Sequence, residues 1–393
     1  MMKKNRAYRV DIWHTILWSR YKGEVFSSLY ALNNPAELDL RFVQVAETEG
    51  NRVSLSGLDL SYHRYPYRLL FNGAYDKVPL GARLVQFAKE ALKTDADLVL
   101  LTGYERPEVW VQLLILKLRG IKTTIFCDST IYDQKQTFLK GLLKRLFFTS
   151  VDGIFGYGPR SRDYVGHYGA RADKFHIRCQ AAALPAGYSP EVALAKRIEM
   201  AAPQDRPQFL YVGRLSPEKN LKRLLQAFAI IKKQNEKAQM VFVGDGKQRA
   251  ELEAFAQTLS LNPAEIFVGS KSGETLFEAY ARATCFVLPS LSEPWGLVVN
   301  EALHYGCPVV VSERCGCVLD LVVDGETGFS HKAEDVSDLA DKMAKAVQAF
   351  ANTRQTAAAC LARIQRYTPA ISAQQMREGI RKILTLGTNI SVP

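Results

Sequence analysis

No apolar run approaches the roughly 18–20 residues that a bilayer-crossing helix needs, so no spanning segment is expected. Seven cysteines form an odd set without a Cys-x-x-Cys pair, and only Cys315-Gly316-Cys317 lie close together. That spacing suits neither a disulfide framework nor zinc, and it points to free thiols in a reducing cytosol. His14, His63, His167, His176, His304 and His331 share no metal spacing. A Gly-x-Ser-x-Gly elbow and a P-loop are both missing. Lys3, Lys4 and Arg6 are followed by Arg9 and Asp11, where a secretory leader needs its apolar stretch, so secretion is not expected. The rest is ordinary globular material: 47% hydrophobic and 23% charged over 393 residues, enough for two domains or more.

Charge is unevenly spread. Residues 1–200 hold 29 Lys and Arg against 20 Asp and Glu, while residues 201–393 hold 22 against 20. Most of the net +11 therefore lies in the first half. Such asymmetry suits an anionic partner, either nucleic acid or an acidic membrane face. A basic surface that serves solubility alone reads the same way.

Short apolar runs alternate with helical patterns along the whole chain. Strands are expected at residues 8–12, 40–46, 98–102, 123–127 and 153–156, with helices at 85–92, 109–118 and 138–148. The second half repeats the rhythm, with strands at 209–212, 240–243, 266–268, 285–288 and 308–311 and a helix at 221–231. Alternation at this spacing argues for parallel sheets covered by helices, and two doubly wound domains follow. The Pro- and Ala-rich stretch before Pro207 reads as a connection. The expected organisation is an N-terminal domain over 1–185, a connection over 186–206, a C-terminal domain over 207–370, and a helix within 371–393 with the option of packing back on the first domain.

Two stretches carry chemistry. In Gly213-Arg214-Leu215-Ser216-Pro217-Glu218-Lys219-Asn220, a strand leads into a helix with Ser216 as N-cap and Pro217 as first helical residue. Lys219 then stands in the first turn against the helix dipole, and Arg214 at the end of the strand, so an anion is expected between them. An ordinary solvated loop fits the same residues. In the stretch from Pro289 to Ala302, Gly296 opens a helix and lets a bulky group approach the amides of Leu297 and Val298. Glu293 stays on the loop and Glu301 lies a turn into the helix. The competing reading makes them a turn residue and a solvated helix face.

With these stretches go Val243-Gly244-Asp245-Gly246, Gly306-Cys307-Pro308-Val309-Val310 and Gly325-Glu326-Thr327-Gly328-Phe329. Taken in order, the second half resembles the retaining GT-B glycosyltransferases of group 1, or family 4. The resemblance implies an α/β fold of two Rossmann-like domains facing a cleft, and a nucleotide-sugar donor. It implies that Gly213, Arg214 and Lys219 meet the donor diphosphate. Glu293 would meet the donor sugar, Glu301 the ribose, and the region around Gly269 and Ser270 the base. The first half matches less well. Where the family has a Gly-Gly pair after its first strand, this chain has Trp18-Ser19-Arg20-Tyr21-Lys22-Gly23-Glu24, with Gly23 as the counterpart. Where many members carry a histidine, it has Cys127-Asp128-Ser129; Asp128 is either a hydrogen-bond acceptor for substrate or a helix cap.

The reading that follows is a hexosyltransferase using a UDP- or GDP-sugar, with retention and with neither cofactor nor metal. Its acceptor is a lipid-linked sugar or surface-glycan precursor, reached from the cytoplasmic face of the membrane. A soluble small-molecule acceptor and a nucleotide-sugar epimerase of the same fold are the alternatives. Nucleic acid is not expected, because clustered basic–aromatic signatures are missing. Asp95-Ala96-Asp97 resembles a metal-holding Asp-x-Asp but reads as a polar turn entering a strand. The segment 138–148, with Lys140, Lys144 and Arg145 beside Phe138, Leu142, Leu143, Leu146 and Phe147, and Lys135 upstream, is the candidate contact with an anionic membrane surface. A buried helix with one solvated face is the other possibility.

Overall fold

The computed structural model describes residues 6–50, 57–133 and 137–385; Lys3, Lys4 and Lys135 fall outside them. The first sheet contains β1 (Tyr8–Ile16), β2 (Leu38–Thr48), β3 (Tyr67–Ala74), β4 (Leu98–Thr102), β5 (Lys122–Cys127), β6 (Gly153–Tyr157) and β7 (Phe175–Arg178), in the order 3-2-1-4-5-6-7. The second contains β8 (Gln208–Val212), β9 (Gln239–Val243), β10 (Phe267–Gly269), β11 (Cys285–Leu288), β12 (Val309–Ser312) and β13 (Gly328–His331), in the order 10-9-8-11-12-13. The strand pairings within both sheets are parallel.

Strands buried on both faces explain the near-continuous apolar runs. In β4, Leu98 and Leu100 point to one core while Val99 and Leu101 point to the other. The first of these cores is closed by helix Arg20–Ala31, through Val25, Phe26 and Leu29, and by helix Pro369–Thr385, through Ala373, Met376 and Ile380. The opposite core takes Phe87 and Ala91 from helix Leu80–Lys93, and Phe147 and Phe148 from helix Phe138–Ser150. In the second sheet, the stripe Leu221, Leu224, Leu225 and Phe228 on helix Leu221–Gln234 is buried as its spacing requires.

The chain divides into two compact units. One takes in residues up to Ser129, the run ending at Ala183, and the chain from Pro369 onward; the other spans Leu184–Thr368. The stretch 186–206, expected as a connection, is instead part of the second unit. Ser189 caps helix Pro190–Met200 by accepting from the Val192 amide at 3.3 Å. On that helix Arg197 is 3% exposed and donates to the Ala281 carbonyl at 2.7 Å. Each strand order reverses once, between β1 and β4 and between β8 and β11. In open α/β sheets, ligands bind beyond the carboxyl ends of strands at such a reversal.

Candidate donor site in the second unit

The residues singled out from Gly213 to Lys219 leave β8, and those from Pro289 to Gly296 leave β11, the two strands at the reversal. Three glycines let the loops there stack. Gly213 has φ +150°, and a Cβ on Gly244 would lie 2.0 Å from the Gly213 carbonyl oxygen. A Cβ on Gly246 would lie 2.4 Å from the Leu215 carbonyl oxygen. The Leu215 amide donates to the Asp245 carbonyl at 2.9 Å, tying the loop after β8 to the loop after β9.

Lys219 does not open the α-helix. Pro217–Lys219 form a 3-10 turn that ends at Asn220 in the left-handed region, with φ 60° and ψ 34°, and the helix starts at Leu221. The kink is held by the Asn220 amide group, which donates to the carbonyls of Pro289 at 3.1 Å and Ala333 at 2.9 Å. Ser216 does not cap either; its hydroxyl donates to Glu218 at 2.6 Å. Lys219 therefore does not stand in the first turn of the helix and does not oppose its dipole. What remains is two cations at a strand reversal, each facing a carboxylate. Arg214, half exposed, lies 3.3 Å from Glu218. Lys219 is ion-paired with Glu293, and both of those side chains are largely buried. The Leu291 amide also donates to the Glu218 carbonyl at 2.9 Å, so the two loops are joined by backbone as well as by charge.

Gly296 has φ +101°, and a Cβ there would approach Leu288 to 3.0 Å and Glu293 to 3.4 Å. No side chain caps helix Leu297–His304, so the amides of Leu297 and Val298 open it. Glu301 accepts from the Tyr280 hydroxyl at 3.2 Å. Burial pushes its carboxyl up to about 7, against the opposing effect of that hydrogen bond. Ser270 is exposed just beyond β10.

Sequence reasoning gave Cys315-Gly316-Cys317 no role, yet it backs the Glu293 loop. Gly316 donates to the Glu293 carbonyl at 2.9 Å and Cys317 to that of Trp295 at 3.1 Å. A Cβ on Gly316 would fall 1.8 Å from the Pro294 carbonyl oxygen. Glu218 and Tyr280 were also unassigned. Glu218 stood beside Lys219 in the sequence, whereas nothing local marked Tyr280 as the partner of Glu301.

In the first unit, Gly23 lies inside helix Arg20–Ala31 rather than on a loop. The place of its missing Cβ is already filled, with the Tyr62 carbonyl oxygen at 2.9 Å and the His63 ring at 3.0 Å. Only a residue without a side chain fits there. Asp128 is exposed directly after β5, and no helix follows for it to cap, since the next one begins at Phe138. Asp95 bonds Arg41 at 2.8 Å and Asp97 accepts from the Arg9 amide at 2.9 Å, both at the amino edge of the sheet. Among the described residues, no three His, Cys, Asp or Glu side chains group as a metal site.

Residues 194–357 match the family described as glycosyl transferases group 1. Among curated proteins, the sulfoquinovosyl transferase SQD2 of Arabidopsis thaliana is 37% identical over 142 residues, which is 35% of this chain and 26% of that protein. A GDP-mannose-dependent alpha-mannosyltransferase of Mycobacterium tuberculosis is 35% identical over 141 residues, 34% of each protein. The chain thus spans about a third or less of these relatives. Similar folds reach much further. The lipopolysaccharide outer core galactosyltransferase WaaB has a TM-score of 0.69 at 15% identity, covering 95% of this chain and 99% of that one. HepE of Anabaena, solved with UDP-glucose, has a TM-score of 0.67 at 17% identity and covers 95% and 99%. The chain therefore has the two-unit α/β fold of the GT-B glycosyltransferases, and its second unit carries the region that matches group 1.

Proposed function

We propose that the protein is a retaining glycosyltransferase of the family 4 type that moves a hexose from a UDP- or GDP-sugar to a hydroxyl. The observation that carries this reading is the pairing of Arg214 and Lys219 with Glu218 and Glu293 at the strand reversal of the group 1 region. Departure of a nucleoside diphosphate builds negative charge, and fixed cations with helix amides stabilise it without reorganising. A diphosphate competes with Glu293 for Lys219. Once displaced, Glu293 is free to take a sugar hydroxyl, while Glu301 accepts from the ribose. No metal is invoked, since Arg214 and Lys219 supply the positive charge.

The acceptor we propose is a lipid-linked sugar or surface-glycan precursor, met at the cytoplasmic face of a membrane. Helix Phe138–Ser150 supports this: Phe138 is 91% exposed, and Leu139, Leu142, Leu143 and Leu146 are exposed beside it. Lys140 and Arg145 share that outer surface. Lys144 does not; it is buried with its ammonium 5.3 Å from the Tyr164 and Tyr168 ring centres. No helix among the described residues is long and apolar enough to cross a membrane.

A thermal-shift panel of UDP- and GDP-sugars tests the donor, because a ligand that binds only the native state raises the melting point. Acceptor-dependent release of nucleoside diphosphate separates transfer from epimerisation. Full activity in EDTA is the expected result. Activity lost in EDTA and restored by Mg²⁺ or Mn²⁺ overturns the metal-free clamp.

A further inference from the structure

Helix Phe138–Ser150 and the end of helix Gly158–His167 border a groove of about 380 Å³ in the first unit, within the range of roughly 300–1,000 Å³ usual for ligand pockets. Phe138, Gly141, Leu142, Arg145, His167 and Tyr168 line it. The first four follow the spacing that puts residues on one helix face, so the groove runs along that face. Its two ends differ. Phe138 and Leu142 are apolar and exposed, while Arg145 stands two turns from Phe138, about 10 Å along the axis. His167 is exposed and its ring meets that of Tyr168 edge-on, with centres 4.9 Å apart.

Gly141 keeps the floor of the groove open. Glycine weakens the interior of a helix, yet close packing does not require it here. A Cβ on Gly141 would meet the Tyr168 ring at 3.6 Å, an ordinary contact. The charge is one-sided as well. Residues 138–150 contain no Asp or Glu, and among the described residues Arg145 makes no ion pair. On the facing helix, Asp163 is paired with Arg162 at 3.6 Å. Glu105 acts through space on Lys144, which is buried and does not line the groove.

We propose that this groove takes one anionic phospholipid molecule of the bilayer, with its phosphate on Arg145 beside His167 and its hydrocarbon over Leu142 and Phe138. The proposal rests on the membrane attachment read from the same helix and adds to it a site of fixed stoichiometry. A guanidinium fork matches phosphate oxygens, and the exposed apolar end gains by leaving water. A lipid supplies both partners in one molecule. A second copy docked symmetrically would set Arg145 against this same acid-free face, which leaves the cation unanswered.

The test is calorimetric titration of the full chain with a short-chain lysophosphatidylglycerol below its micelle concentration. Saturable one-to-one binding is expected. Gly141→Leu fills the groove while keeping every charge, and should weaken binding at least tenfold without lowering the melting point. Gly141→Ala, for which Tyr168 leaves room, should bind nearly as the parent does. Arg145→Gln, at an exposed position, should also weaken binding at least tenfold, and it decides the matter if Gly141→Leu melts early. Inorganic phosphate bound as tightly as the lysolipid would mean a bare anion site, and equal binding of lysophosphatidylcholine an apolar surface that reads no charge; either overturns the proposal. Vesicle binding that Lys140→Glu weakens, with no binding of the monomeric lysolipid, keeps the membrane surface but overturns the groove. Self-association abolished by Gly141→Leu, again without lysolipid binding, gives the groove to a second copy and overturns it too. So does an affinity that neither Gly141→Leu nor Arg145→Gln changes.

Discussion

Arg214 and Lys219 share a proposed role but not a local environment, and their substitutions should separate accordingly. Removing either charge should lower turnover by about 10²–10³, the usual effect of losing one donor aimed at developing charge. Arg214 is half exposed, so Arg214→Ala should leave stability within about 0.5 kcal/mol. Lys219→Ala strands the largely buried Glu293, which should cost about 1–3 kcal/mol in urea unfolding. Adding Glu293→Ala should recover most of that stability but none of the activity. Glu301 gives a pH signature. Its folded pKa of about 7 lies above the ordinary 4.5, so the fold favours the protonated form. That contribution to stability is complete below 4.5 and is lost as pH rises through 7. A ribose hydroxyl needs the ionised form as acceptor, so nucleotide affinity should rise with pH up to about 7 and then level off. In Glu301→Gln the profile should be flat, and Glu293→Ala should leave affinity for free nucleotide nearly unchanged. Calorimetry from pH 5.5 to about 8.5 checks all three, and equal weakening by both substitutions would sink the division of roles.

Among elements, β4 and β11 stand where the sequence placed them, at Leu98–Thr102 and Cys285–Leu288. Buried on both faces and bounded by polar turns, such strands announce themselves. β3, β7 and β13 were not anticipated, and their residues explain it. β3 is half exposed along its length, while β7 carries His176 and Arg178 and β13 carries Ser330 and His331. The loops of the candidate site were legible because each is contiguous and its glycines are forced by backbone approach. The false helix start at Pro217 had a different cause: good capping residues were present, but tertiary bonds from Asn220 placed the kink three residues later. Gly316 shows how firmly one loop depends on another. Gly316→Ala should displace the Glu293 loop and lower turnover at least tenfold, with nucleotide affinity less affected. Helix Phe138–Ser150 makes a separate prediction. Lys144 being buried, reversal of Lys140 and Arg145 alone should remove at least about 2 kcal/mol of attraction to anionic vesicles, more than tenfold in partition. Co-sedimentation at low and high salt measures it, and binding that survives the reversal discards this surface.

At the scale of the molecule, contiguity in sequence and contiguity in space part company. The second unit could be read because its motifs follow one another within Leu184–Thr368. The first could not, because its fold is completed from the far end of the chain. Helix Pro369–Thr385 buries Ala373, Met376, Ile380, Ile383 and Leu384 against the same core as Val25, Phe26 and Phe155. A Cβ on Gly379 would lie 2.4 Å from the Phe155 ring, so the helix sits close on the sheet. Lys122 donates to the carbonyl of Ile383 at 2.6 Å and fixes the last turn. Each of the larger apolar side chains is worth about 1.5–3 kcal/mol when fully buried, so the helix contributes a large share of what holds a unit of this size together. Deleting residues 369–393 should therefore unfold the first unit while the second, which loses none of its own core, still melts cooperatively. Differential scanning calorimetry of the shortened chain should show one transition that nucleotide raises, in place of the transitions of both units. Retention of a separate transition from the first unit would mean that its core closes without the returning helix.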